Sequence, residues 1–483
     1  MNAQSPPPPR RPYWMLLVLV ALFVLPVPAA VAVLVAGALG ALALSVARDA
    51  RARRTLIAEQ AGVGEKIVLG TDERGATLAL SGLQLSAHGL ILGASGAGKT
   101  TTLLTILTAG IRQGKPVVAI DMKGSPAFAS ALAQASAAAG RRFRCWTLDG
   151  PERWNPLQHG NATELKDKLL STERFTEPHY QRAAERYVQT VLQVLRDAHP
   201  HGAIGLDEVV DLMEPARLSA ALRNVDRARA DRVQDYLTTL TPDQLSAIRG
   251  LGTRLAIITE SDSGAYLSAE AGQRAIDLRR TLEGRDVVLF SLNSSRYGKL
   301  AAQIGTLVAQ DLIAASGHRL LLPEAQRQQA LIGVDEFSAL GTDHLVGLLE
   351  RGRESGMVVL LATQEFADME RVARGLQQQV SGVTALKIFH RQDVPASAQL
   401  VADMIGTEFG WEETRTIGGL FSRYNGNVGT RRLVERPIVH PNVIKSLQTG
   451  EAIVLRKLPA MSVRKVRVSP PRTRAGRDGP ELG

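Results

Sequence analysis

An α/β fold built on a mainly parallel sheet is what this sequence predicts, and three observations carry that expectation. Between residues 64 and 150, short apolar runs alternate with helical stretches, the pattern of a parallel sheet covered on both faces. Apolar runs return after residue 284, again with helical stretches between them. And the octapeptide "GASGAGKT", Gly93 to Thr100, sits between a run that reads as a strand and one that reads as a helix.

The elements follow in chain order. Residues 1–12, "MNAQSPPPPRRP", are proline-rich and read as a disordered lead-in. Residues 13–47 then run for 35 positions without a charged side chain. As one helix they would span roughly 50 Å, against a hydrocarbon core of about 30 Å. Pro26 and Pro28 divide the run, and arginines flank it on both sides, Arg10 and Arg11 before, Arg48 and Arg51 after. That charge pattern suits a transmembrane helical hairpin with both ends in the cytoplasm; one tilted span and a re-entrant hairpin stay open. A cleaved leader cut at "PAAVA" fits less well, because the apolar run continues well past it. Residues 48–63 read as a linker.

From 64 to 151 come "HGLILG" as a strand, "KTTTLLTILTAGIRQG" as a helix, "PVVAID" as a strand, "SPAFASALAQASAAAG" as a helix and "FRCWTL" as a strand. From 152 to 283 helical spacing takes over and convincing strands are lacking, so an inserted all-α domain is expected. Strand signals resume from 284 to 468 with "DVVLFSL", "ALIGVD", "MVVLLAT" and "ALKIFH". Residues 469–483 read as a disordered tail.

The composition limits the function classes. The net charge of +10 favours nucleic acid or anionic lipid as a partner without proving either. Aromatic residues make up 4%, so any grip on DNA should be electrostatic and salt-sensitive rather than built on base stacking. Cys145 is the sole cysteine, which excludes an internal disulfide and a cysteine metal cluster.

"GASGAGKT" matches G-x-x-x-x-G-K-[ST] in full and stands in the strand-to-helix context that gives the pattern meaning. Gly93, Gly96 and Gly98 let the backbone curl around phosphate oxygens, with Ala94, Ser95, Ala97 and Thr101 completing the cradle. Lys99 would reach the outer phosphates of ATP and Thr100 would ligate Mg²⁺. "ALIGVDEF" places Asp335 and Glu336 at the end of an apolar strand, where an open α/β sheet puts its ligand crevice. Asp335 would help hold Mg²⁺ and Glu336 would polarise the attacking water. "IDMKG" brings Asp121 and Lys123 to the same rim, where a solvated turn is as good a reading as a site.

Several segments in order then resemble one family: "HGLILGASGAGKTTTL", "AIDMKGS", "RWNPL", "GVDEFSALG", "RGRESGMVVLLATQEFADM" and "TALKIFHRQDVPASAQLVADMIG". The chain resembles the type IV coupling proteins, the VirD4/TraG/TraD-like branch of the FtsK–HerA class. The resemblance covers roughly residues 64 to 465 and includes the closing segment "LVERPIVHPNVIKSLQTGEAIVLRKLPAMSVRKVRV". It implies a RecA-like P-loop ATPase core with an inserted helical domain and a membrane hairpin, assembled as a homo-hexamer on the inner membrane with its ATPase body in the cytoplasm. It further implies that ATP hydrolysis drives single-stranded DNA and its relaxase, with relaxosome proteins, towards a type IV secretion channel. By motif, Gln364 takes the place of the family's sensor glutamine. Arg353 takes that of the arginine offered to the adjacent subunit's nucleotide, with Arg351 as an open second candidate. Two departures stand out: the hairpin loop is almost absent, and Met122 stands where proline is usual. Two other functions compete. One is a duplex-DNA translocase of the FtsK/HerA kind; the other is a receptor ATPase for secreted protein substrates.

Overall fold

A loop that ends one strand and opens the next helix can hold a ligand only if neighbouring strands stop at the same level, so strand order decides what the motifs can do. The computed structural model describes residues 66–173, 175, 177–200, 202–268, 275–340, 345–415 and 429–471. The expected lead-in at 1–12, membrane hairpin at 13–47 and linker at 48–63 lie outside the described residues, as does the tail beyond residue 471. Among the described residues, no helix is long and apolar enough to cross a membrane.

The strands are β1 (Ile67–Asp72), β2 (Thr77–Leu80), β3 (Gly89–Leu92), β4 (Val117–Asp121), β5 (Phe143–Thr147), β6 (Arg153–Trp154), β7 (Ala275–Ile276), β8 (Val287–Ser291), β9 (Ala330–Asp335), β10 (Met357–Thr363), β11 (Leu386–Phe389), β12 (Thr407–Arg415), β13 (Gly429–Pro437), β14 (Glu451–Arg456) and β15 (Ser462–Val468). Eleven of them form one sheet in the order β2-β1-β15-β14-β11-β3-β10-β9-β4-β8-β5. From β11 to β5 every pairing is parallel. The opposite edge, from β11 through β14, β15 and β1 to β2, is antiparallel. The sheet is therefore mainly parallel, with an antiparallel margin that joins the two ends of the described chain.

Apolar runs without alternation mark the central strands because both faces are covered. In β10, Met357, Val359 and Leu361 face one core and Val358, Leu360 and Ala362 the other. The helix Lys99–Arg112 lies on the second face. Its approach is close: a Cβ on Gly333 of β9 would fall 2.7 Å from the end of the Leu107 side chain, which would have to shift to admit it.

Residues 152–283 carry six helices of five or more residues up to Pro242–Thr259. The longest, Pro178–Ala198, buries Ala184, Tyr187, Val188, Val191, Leu192 and Leu195, one helical stripe. Capping boxes at Asn161/Glu164 and Thr241/Gln244 start two of the helices. The stretch also holds the two-residue strands β6 and β7, which pair in parallel across its root. Two residues per strand are too short to leave a periodic signal in sequence, which is why none was expected. At this root Trp154 meets Trp146 edge to face at 6.3 Å and Phe290 edge to face at 5.2 Å. Trp154 Nε1 donates to Asp311 at 3.1 Å, and Asp311 also accepts from the buried Lys168 at 2.7 Å. Burying an aromatic cluster together with a paired charge fixes where the helical insertion leaves the sheet.

Candidate nucleotide-binding site

Because β3, β10, β9 and β4 are parallel neighbours, the segments that follow them emerge on one edge of the sheet. These are the loop Gly93–Gly98, Gln364, Glu336 and the turn Met122–Gly124. Asp121 and Asp335 are paired in register across β4 and β9. Thus residues more than two hundred positions apart converge on one crevice.

The loop is tied down by backbone bonds. Gly93 N–H donates to the Gln364 carbonyl at 3.3 Å, and Ala94 N–H to that of Arg391 at 2.8 Å. The Ala97 carbonyl accepts from Gly450 at 3.0 Å. Gly98 takes φ +116° as the residue before the helix, a left-handed conformation that a side chain would strain. Ser95 and Gly96 remain exposed at the crown of the loop. The first N–H groups of the helix, from Lys99 onward, lack intrahelical acceptors and add a partial positive charge.

Beneath the loop lies His390, fully buried at the end of β11. Its Nδ1 lies 2.8 Å from the Glu451 carbonyl, which can only accept, so Nδ1 carries the proton and Nε2 accepts from Thr102 Oγ1 at 2.8 Å. Burial pushes its pKa down to about 4, so the ring stays neutral and steadies the first turn of the loop helix.

The charged groups of the crevice pair with one another. Lys99 is buried and folds back onto the loop, donating to the carbonyls of Gly93 at 2.6 Å and Ala94 at 3.1 Å. Burial lowers its pKa, and Glu336 opposes that shift. Thr100 Oγ1 donates to Asp335 Oδ2 at 2.7 Å, while the other oxygen, Oδ1, is buried with no hydrogen-bond partner. Burial raises the Asp335 pKa, against the Thr100 hydrogen bond and the nearby Lys123. An unsatisfied buried carboxylate oxygen is costly. With the Thr100 hydroxyl beside it, this oxygen fits a hydrated divalent cation.

Glu336 sits at φ +54°, uncommon for a residue with a side chain. Its Oε1 accepts from Lys123 Nζ at 2.7 Å and from Gln364 Nε2 at 3.1 Å. Gln364 therefore touches both halves of the crevice, its carbonyl bonding the first loop glycine and its amide the Glu336 carboxylate. The turn that carries Lys123 is held by Asp121, which accepts from the backbone N–H groups of Lys123 at 2.9 Å and Ser125 at 2.6 Å. Burial raises the Asp121 pKa, and these two bonds oppose it.

The sequence thus brings Lys99, Thr100, Asp335, Glu336 and Gln364 together. The Lys123–Glu336 pair and the role of His390 were not legible, since both depend on which strands are neighbours. Arg353 stands elsewhere, exposed on the turn before β10, at the opposite end of the strand from Gln364. Seven residues of β10 at about 3.3 Å each put some 20 Å between them. Arg351 is exposed too, on the last turn of the helix Leu345–Gly352, and lines a cavity of about 710 Å³ with Asn161, Lys168, Arg279 and His318.

Comparison with known proteins follows the same division. Residues 329–449 match the family model described as the TraM recognition site of TraD and TraG, and residues 66–149 that of the HerA-like helicase C-terminal region. No curated protein sequence matches the chain. Its fold is that of the bacterial conjugative coupling protein TrwBdeltaN70, at a TM-score of 0.63 and 15% identity over 83% of this chain and 88% of that one. Plasmid coupling protein TrwB in complex with ADP and Mg²⁺ aligns with a TM-score of 0.59 and 14% identity, covering 85% of this chain and 96% of the other. VirB4 of Thermoanaerobacter pseudethanolicus aligns with a TM-score of 0.52 and 15% identity over 84% and 96%. The family models bear out the resemblance to type IV coupling proteins of the FtsK–HerA class, and these neighbours share the fold.

Proposed function

We propose that the chain is a coupling ATPase of conjugation: a membrane-anchored ring that uses ATP hydrolysis to recruit and move relaxase-bound DNA to a type IV secretion channel. The observation that carries this reading is the convergence of Lys99, Thr100, Asp335, Glu336 and Gln364 on the ends of adjoining parallel strands. The match of residues 329–449 to a TraM recognition model supports a relaxosome protein as partner. The net charge of +10 supports non-specific contact with DNA.

The residues take distinct roles. ATP occupies the loop Gly93–Thr101, and Lys99 turns from its own loop carbonyls to the outer phosphates. Thr100 and Asp335 would hold Mg²⁺, which would neutralise phosphate charge. Glu336 orients water and accepts its proton. Gln364, bonded to Glu336 and to the start of the loop, senses the terminal phosphate. Arg353 acts on the nucleotide of the next subunit, and residues 13–47 anchor the ring to the inner membrane. Replacing Lys99 with alanine should abolish nucleotide binding and DNA-stimulated turnover while thermal unfolding stays that of a folded protein. Normal turnover in that variant would refute the assignment of the site. Stimulation by single-stranded rather than duplex DNA separates this reading from a duplex translocase.

A further inference from the structure

The crevice holds a second lysine that the roles above leave unused. Lys123 belongs to a turn whose backbone is fixed twice by Asp121 and closed by Gly124 at φ +68°, packed against Asn293. Its side chain is not fixed in the same way. The ammonium lies 2.7 Å from Glu336 Oε1, yet the side chain is 45% exposed. Burial works against its charge, and the hydrogen bond to Glu336 with the fields of Asp335 and Asp121 outweighs that, so the pKa is raised. A rigid base carrying a charged, half-exposed arm at the mouth of an anion site is suited to change partners. Lys99 has the same character, since its bonds go to carbonyls that a phosphate would displace.

We infer that Lys123 is a phosphate-contacting residue: on nucleoside triphosphate binding it exchanges Glu336 for the terminal phosphate, which leaves Glu336 free to engage water. The inference rests on the nucleotide reading of the site. A nucleoside diphosphate lacks the group that draws Lys123 away, so the Lys123–Glu336 pair persists with the diphosphate and breaks with the triphosphate. The crevice thereby distinguishes the two nucleotides by which anion holds one ammonium. Charge-assisted hydrogen bonds are among the stronger ones available for such a choice.

The test is equilibrium binding of ADP and of the non-hydrolysable triphosphate analogue ADPNP, with Mg²⁺, to the full-length chain and to Lys123→Ala and Lys123→Arg. The alanine variant should lose about 10- to 100-fold in affinity for ADPNP, the range of a hydrogen bond to a charged group. Its affinity for ADP should stay within about twofold, which also shows that the variant is folded. Arginine, which keeps the charge, should recover much of the ADPNP affinity. Equal weakening of both ligands would reduce Lys123 to a structural role and overturn the inference. Unchanged or tighter ADPNP binding would also overturn it, by showing that Lys123 serves only to restrain Glu336. If the unmodified chain bound neither nucleotide, the nucleotide reading itself would fail, an outcome distinct from any of these.

Discussion

The two ends of β10 are built on opposite terms. At its C-terminal end, polar groups meet through side chains that a ligand can displace: Lys99 on loop carbonyls, Thr100 on Asp335, Lys123 and Gln364 on Glu336. At its N-terminal end, side chains grip backbone. Arg319, 1% exposed, donates to the carbonyls of Ser355 at 2.8 Å and Leu282 at 2.5 Å, and also to that of Gln328. Arg327 donates to Glu354, Leu320 and Leu322. Ser316 and Ser355 share a buried hydrogen bond at 2.8 Å. One end is arranged to exchange partners. The other is arranged to hold the turn 353–356 still, with Arg353 projecting from it. A side chain that must reach a separate nucleotide benefits from a rigid mount, and that is what the far end supplies.

The largest test of this contrast is Arg353→Ala. If the turn serves a neighbouring subunit, turnover should fall on the order of 10³-fold, as for other arginines that stabilise phosphoryl transfer. Binding of ADP to the variant's own crevice should be unchanged, because the two lie at opposite ends of the strand. Mixing Arg353→Ala with Lys99→Ala subunits should recover part of the activity, since a mixed ring contains interfaces with both groups intact. Loss of ADP binding in Arg353→Ala would break the comparison by placing both ends in one site.

A smaller effect follows from Arg319. Arg319→Leu keeps some of the buried volume but leaves the carbonyls of Ser355, Leu282 and Gln328 without their donor. About 4 kcal/mol of stability should be lost, because each buried carbonyl left without a donor costs about 1–3 kcal/mol. Gln364→Leu at the exchangeable end should cost less, about 2 kcal/mol, because it removes a single bond to a carboxylate that Lys123 still pairs. Denaturant unfolding of the two variants measures the difference. Similar losses at both ends would show that the crevice is as structural as the turn.

How far the sequence reveals this depends on the range of each interaction. The loop Gly93–Thr100 is local, so its spacing alone predicts strand, turn and helix. Asp335 and Glu336 needed the end of an apolar run together with the phosphate loop upstream, since the run alone is a weak pattern. Lys123 was undecided, because its meaning arises from β4 lying beside β9, a long-range choice that no local pattern encodes. The antiparallel margin was equally hidden: β15 is only partly buried along most of its length, and its partner β1 lies some four hundred residues away. The ribbon β12–β13 left no expectation either. It pairs over nine residues per strand and exposes Phe409, Trp411 and Leu433, so burial gave its sequence no clear alternation. Arg319 reads as one charge near the end of a long helix, and only packing shows that it clamps a turn.

Acid separates the two ends with the smallest effect. Each end contains a buried histidine with its pKa pushed down to about 4 by burial. His88, at φ +59° before β3, accepts from Val359 N–H at 3.1 Å and faces Arg353, whose charge deepens the shift. His390 lies under the loop helix near Lys99, which acts likewise. Both pKa values are depressed on folding, so the unfolded chain binds protons that the fold excludes. Their contribution is complete above about pH 6.5 and is lost as pH falls towards 4, up to about 3 kcal/mol for each. Replacing either histidine with glutamine should flatten part of that decline in stability. Nucleotide binding should respond to only one of them. Protonated His390 can no longer accept from Thr102, so ADP affinity should fall as pH drops through about 4 in the unmodified chain and in His88→Gln. In His390→Gln that part of the dependence should be lost, leaving the titration of ADP and of the crevice carboxylates Asp121 and Asp335, which all three proteins share. A flattened ADP profile in His88→Gln would join the two ends and end the distinction between them.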